Sequence, residues 1–260
     1  MKNIITFDKA DIGYGKTKIL RDITCSIERG ESVGIVGPNG SGKTTFLRGV
    51  LGILSPFSGT IEIDKSQCFA YVPQAENLNF FLPMTVREVV ALPYKAKGFL
   101  RRLTQEEKDA VELAMEKAGI TPIADLLIRE CSGGQTQKTI LAQAISQKPD
   151  VLLLDEPTRG LDVVAERDFL NLIQQLKQEG NLTILFVTHS LHIPLNFMGK
   201  IMLVDKGSVI STTPIELVNT KKLEEIYNTP FLHHEYGGFK WVMPLTEAVG
   251  KSSICKEVVG

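Results

Sequence analysis

Gly37-Pro38-Asn39-Gly40-Ser41-Gly42-Lys43-Thr44 is a run of eight residues whose types and spacing suit one piece of chemistry, the holding of a chain of phosphates. It satisfies G-x-x-x-x-G-K-[ST], the phosphate-binding P-loop. It lies between the apolar run Val33-Gly34-Ile35-Val36 and the segment Thr45-Phe46-Leu47, so the motif falls where a strand turns into a helix, the context it requires. Its glycines let the backbone curl so that N–H groups point inward, the following helix offers the positive end of its dipole, and Lys43 adds a point charge. The hydroxyl of Thr44 is a hard oxygen suited to the magnesium ion that bridges the outer phosphates of a nucleoside triphosphate.

Two carboxylates supply the next element of chemistry. Val151-Leu152-Leu153-Leu154 is a wholly apolar run that ends in Asp155-Glu156. Buried parallel strands read this way, and ligand-facing residues sit at their carboxyl ends. Asp155 fits a metal partner of the P-loop and Glu156 a base for water. Leu182 to Val187 is a second such run and delivers Thr188-His189. Gln74 closes a shorter strand, Phe69-Ala70-Tyr71-Val72, where an amide can reach the metal or the attacking water. Gln74, Asp155 and His189 are therefore expected to converge on one crevice. Tyr14, flanked by Gly13 and Gly15, is a candidate for stacking on a purine base. Ser132-Gly133-Gly134-Gln135 opens a helical pattern and forms a second anion-binding helix terminus. Either that terminus binds a second anion, or it serves a nucleotide held by another copy.

A chain of 260 residues with 43% hydrophobic residues is long enough to bury a large α/β core. The formal net charge of −1 provides no global basic field, and nucleic acid is not an expected partner. No run approaches the roughly eighteen apolar residues needed to span a bilayer, and the N-terminus has no apolar signal core, so a cytosolic chain is expected. Cys25, Cys68, Cys131 and Cys255 lack C-x-x-C spacing and indicate neither a zinc site nor a disulfide framework.

Elements that would position these groups can be read along the chain. Ile4 to Phe7 and Ile19 to Ile27 read as strands of an N-terminal β subdomain, and Gly59 to Asp64 as another. Residues 78–148 read as an inserted helical block, with Thr104 and Glu107 as a capping box, an apolar stripe from Ala110 to Ala118, and a stop at Gly119. Lys95, Lys97, Arg101 and Arg102 make its approach basic. A helix with Phe169, Leu172, Ile173 and Leu176 on one face should follow Asp162 and end near Gly180. Ile201 to Val204 is a further strand, residues 214–217 and 222–227 are short helices, and Phe231 to Glu235 with Phe239 to Met243 form a hairpin through Gly237-Gly238. Residues 244–260 carry no pattern. The expected fold is α/β, a P-loop NTPase core with a mixed sheet, an antiparallel β subdomain and a helical insert.

The set of motifs, in this order and spacing, resembles the nucleotide-binding subunits of ABC transporters, with Ser132 to Gln135 as the discriminating feature, and the likeness runs from about residue 4 to residue 243. The resemblance implies ATP and Mg2+ as ligands. It implies that Tyr14 stacks on adenine, that Thr45 joins the P-loop in binding the nucleotide, that Glu156 polarises water, that Asp155 and Gln74 hold magnesium mainly through water, and that His189 contacts the γ-phosphate. It further implies that the chain closes head to tail with a second copy of itself or with a homologous ATPase subunit, Ser132 to Gln135 of one completing the ATP site of the other. The partners implied are membrane permease subunits and a solute-binding protein, and the location is the cytoplasmic face of the membrane. Residues 226–230, 236–238 and 242–244 are similar to the tails of subunits serving importers of iron chelates, haem, cobalamin or divalent metals. Competing readings are a family ATPase of a non-importer system (lipid trafficking, export or cluster assembly) and a non-hydrolysing nucleotide-binding regulator. Three positions depart from the family pattern: Cys131 before the signature, Gln143 later in its helix, and Arg159-Gly160 ahead of Leu161-Asp162.

Overall fold

The structure is a computed structural model and describes residues 2–74, 83–95, 102–219 and 221–245. The chain opens with two long strands, β1 (Asn3–Tyr14) and β2 (Thr17–Glu28), then β3 (Ser32–Val36), helix α1 (Lys43–Val50), β4 (Ser58–Ile63) and β5 (Phe69–Val72). Helices α2 (Val86–Val90), α3 (Leu92–Lys95), α4 (Gln105–Lys117) and α5 (Gly133–Ser146) precede β6 (Val151–Asp155). Next come α6 (Val163–Gln178), β7 (Thr183–Val187), α7 (His192–Phe197), β8 (Lys200–Asp205) and β9 (Ser208–Thr212). Two short helices, α8 (Pro214–Asn219) and α9 (Lys222–Tyr227), lead to the terminal hairpin of β10 (Phe231–Tyr236) and β11 (Phe239–Pro244).

Strands β3, β6 and β7 are buried at every position, which is why each reads as an unbroken apolar run. They occupy the middle of a six-stranded sheet of order β5-β6-β7-β3-β8-β9, parallel except for β9. The order β6-β7-β3 sets three carboxyl ends side by side, those that deliver Asp155, His189 and the P-loop. A second, antiparallel sheet of order β2-β1-β4 lies over α1, with the Phe7 and Phe46 rings 5.1 Å apart between them. Val33, Ile35, Leu153 and Leu185 share one buried cluster with Ile5, Ile12, Phe46 and Leu47. On the opposite face Leu152, Leu154 and Phe186 pack with Val89, Val111, Met115 and Leu141 of the helical block and with Phe169 and Ile173 of α6.

The α4 reading agrees with the structure. Thr104 and Glu107 exchange both capping hydrogen bonds, Ala110, Val111, Ala114 and Met115 form the buried stripe, and Gly119 follows at φ +66°. Two readings change. The first strand does not stop at Phe7 but runs to Tyr14, because register shifts beside Lys9 (φ +46°) break the alternation without ending the pairing. Ser208–Thr212 is a strand that polar composition concealed, held by pairing to β8 on the sheet edge. Lys97, Arg101 and Cys255, together with residues 78–82 of the insert and most of the tail, lie outside the described residues.

Candidate nucleotide site

The loop between β3 and α1 is drawn tightly against its neighbours. A Cβ at Gly37 would stand 2.1 Å from the Val204 carbonyl oxygen of β8, and one at Gly42, where φ is +107°, would stand 2.8 Å from Leu20 Cδ2 of β2. Glycine is required at both points, by proximity at Gly37 and by backbone conformation as well at Gly42. Lys43 is buried, and its Nζ donates to the Gly37 carbonyl at 2.9 Å and the Pro38 carbonyl at 3.0 Å. Burial lowers its pKa, while the charges of Glu156 and Asp155 oppose that shift. The Ser41 hydroxyl is buried with no hydrogen-bond partner among the described residues. A backbone cradle that excludes side chains, a cation at its base and an unused buried hydroxyl together suit a polyphosphate.

Asp155 closes β6 at 6% exposure, and Tyr71 of β5 donates its hydroxyl to Oδ2 at 3.0 Å. Burial pushes the Asp155 carboxyl up from the ordinary carboxylate value, with the Glu156 charge adding to it and with Tyr71 and Lys43 opposing. The Tyr71 hydroxyl is itself raised by burial and by Asp155. Glu156 follows at φ +45°, its N–H donating to the Val187 carbonyl at 2.9 Å, so the turn is fastened to the end of β7. Its Oε2 lies 3.4 Å from His189 Nδ1 and 3.5 Å from Arg159 Nη1.

Tyr14, Asn39, Gly40, Gly42, Lys43, Thr44, Thr45, Gln74, Asp155 and Glu156 line one cleft of about 360 Å³. His189 is not among its walls. It lines a smaller neighbouring cleft of about 160 Å³ with Arg159, Thr188 and Ser190, and Glu156 is the wall the two share. Tyr14 is 40% exposed, with the Arg48 guanidinium 5.5 Å from its ring centroid and Arg48 Nη1 donating to its hydroxyl at 3.1 Å. One face is thus engaged by a cation, where the sequence suggested only flanking glycines.

Ser132 caps α5 through a capping box, its Oγ accepting from Gln135 N at 3.2 Å and Gln135 Oε1 accepting from Ser132 N at 2.8 Å. Ser132, Gly133, Gly134 and Gln135 line neither cleft. Residues at the site that went unread in the sequence include Tyr71, Arg48 and Ile19, the last adding an apolar wall beside Tyr14. Arg48 had a signal, since it stands three residues after Thr45 on the helix that follows the loop. Tyr71 had none, because its meeting with Asp155 depends on the pairing of β5 with β6.

A glycine cradle at a strand–helix turn, a buried lysine and a carboxylate closing the strand two places away define a P-loop NTPase. The family of ABC transporters matches residues 20–159, and the chain belongs to that family as an ATP-binding, ATP-hydrolysing subunit. It is 36% identical over 212 residues to the zinc import ATP-binding protein ZnuC of Chromohalobacter salexigens, covering 82% of this chain and 84% of that one. It is 31% identical over 227 residues to ZnuC of Roseobacter denitrificans, 87% and 85% of the two chains. A chain of an ABC transporter solved in an inward-facing conformation superposes with a TM-score of 0.85 at 23% identity, over 95% of this chain and all of that one, and shares the fold. No helix among the described residues is long and apolar enough to cross a membrane.

Proposed function

We propose that this chain is the ATPase of a metal importer, closing as a pair around two ATP molecules to drive a membrane permease that is fed by a solute-binding protein. It would then act at the cytoplasmic face of the membrane. The P-loop and Lys43 hold the phosphates, Thr45 supports the loop and Tyr14 stacks on the adenine. Glu156 takes the proton of the attacking water, and His189, joined to Glu156 through Oε2, reaches the γ-phosphate. Thr44, Asp155 and Gln74 would hold magnesium, which when bound neutralises charge on the outer phosphates. Their fit rests on a buried carboxylate and an amide lining the same cleft as the cradle.

The observation that carries the transport reading is the likeness over more than four fifths of the chain to subunits of zinc import systems. Zinc is accordingly the proposed cargo. The test is uptake of radioactive zinc into ATP-loaded proteoliposomes holding this chain with its permease, the solute-binding protein being added outside. ATP-dependent uptake that is lost with Lys43→Ala is expected. Uptake of other divalent ions but not zinc would remove the cargo, and absence of any ATP-dependent flux would remove the importer reading.

A further inference from the structure

We propose that Arg159 is a positioning residue for Glu156, anchoring one oxygen of its carboxylate so that the side chain stays on the wall between the two clefts. The proposal rests on the reading of Glu156 as the base for water. Arg159 follows Glu156 by three residues, and the local structure explains how it reaches the carboxylate. Pro157 fixes φ at the second position of the turn Glu156-Pro157-Thr158-Arg159, and the Arg159 N–H donates to the Glu156 carbonyl at 3.1 Å. That closure brings the guanidinium back over the carboxylate three residues earlier, Nη1 lying 3.5 Å from Oε2.

Backbone at both ends of Glu156 is fixed, its N–H by the bond to the Val187 carbonyl and its own carbonyl by the bond from the Arg159 N–H, so the side-chain torsions are what remain to be set. His189 approaches the same oxygen from the loop after β7, and Arg159 approaches from the turn. The other carboxylate of the smaller cleft, Glu166, stands 3.8 Å from His192 Nε2. A guanidinium is permanently charged and planar, which suits it to hold a carboxylate in one orientation. The Glu156 side chain is 10% exposed and that of Arg159 is 49% exposed. A contact of 3.5 Å whose cation is half exposed to water adds little to stability, so a purely structural role predicts almost no effect of removing Arg159.

Steady-state ATPase kinetics of the full chain provide the test. Arg159→Ala should lower kcat about three- to tenfold, leaving KM for ATP and the melting temperature unchanged, and Arg159→Lys should recover most of the loss. In a Glu156→Gln background, Arg159→Ala should have no further effect, because the carboxylate it positions is gone. The same fractional loss in both backgrounds, or a rise in KM at constant kcat, would overturn the proposal. If Glu156→Gln itself turns over at the parental rate, the base assignment falls and takes the proposal with it. If Glu156→Gln is impaired and Arg159→Ala is not, only the positioning role fails.

Discussion

Glu156 sits at a backbone angle that few non-glycine residues adopt, immediately after a strand buried from end to end. Strain of that kind persists where surrounding contacts over-determine it, here the bond to Val187 and the two contacts on Oε2. Replacing the carboxylate by its amide keeps the shape and removes the proton acceptor. Glu156→Gln should therefore bind ATP and accumulate as a closed dimer while hydrolysis falls on the order of a hundredfold or more. Size-exclusion chromatography with ATP and a phosphate-release assay check the two halves of that statement, and a monomeric or fully active variant would contradict it. At this scale the sequence was legible where one residue's chemistry stood at the end of an element, as with Lys43 at the start of α1 and with Asp155 and Glu156 at the end of β6. It was silent where a side chain arrives from another strand, as Tyr71 does.

Among the elements, the loop from β3 to α1 leaves the least room for change. Alanine at Gly37 would press its Cβ on a backbone carbonyl of β8, and a backbone atom cannot swing aside as a side chain does. Overpacking of this sort costs about 1–3 kcal/mol, and relief would come only by moving the cradle or β8. Gly37→Ala should lower the melting temperature and weaken binding of a fluorescent ATP analogue together. Unchanged values of both would mean that the loop is looser than its contacts indicate. Strong periodicity made α4 and α6 readable, since their buried stripes repeat at helical spacing. Bulges in β1 and the polar edge strand β9 were not, because the first breaks the two-residue alternation and the second depends on its partner rather than on its own composition.

Taken whole, the chain brings the helix terminus of α1 to the P-loop cleft and leaves the glycine-rich start of α5 outside it, and the proposed function makes that second terminus an anion site as well. A second copy supplying the other is the arrangement that uses both. Gly133 and Gly134 differ as places to test it: a Cβ at Gly134 would crowd Ala165 Cβ of α6 at 3.0 Å, whereas one at Gly133 meets nothing within 4 Å. Gly133→Asp thus places a carboxylate in the terminus without disturbing its own chain, and an acidic residue in the first turn of α5 suits the helix dipole. It should leave ATP binding to the single chain intact, yet repel the γ-phosphate across a dimer and abolish hydrolysis.

The direct measurement is ATPase activity on mixing Gly133→Asp with Lys43→Ala, each inactive alone. A mixed dimer would hold one site damaged on both sides and one site with an intact P-loop facing an intact Ser132 to Gln135. Recovery of activity, to at most about a quarter of the parental rate if dimers form at random and sites act independently, is the predicted result. Full activity of Gly133→Asp by itself would contradict the account, as would mixtures that form dimers but recover nothing at any ratio.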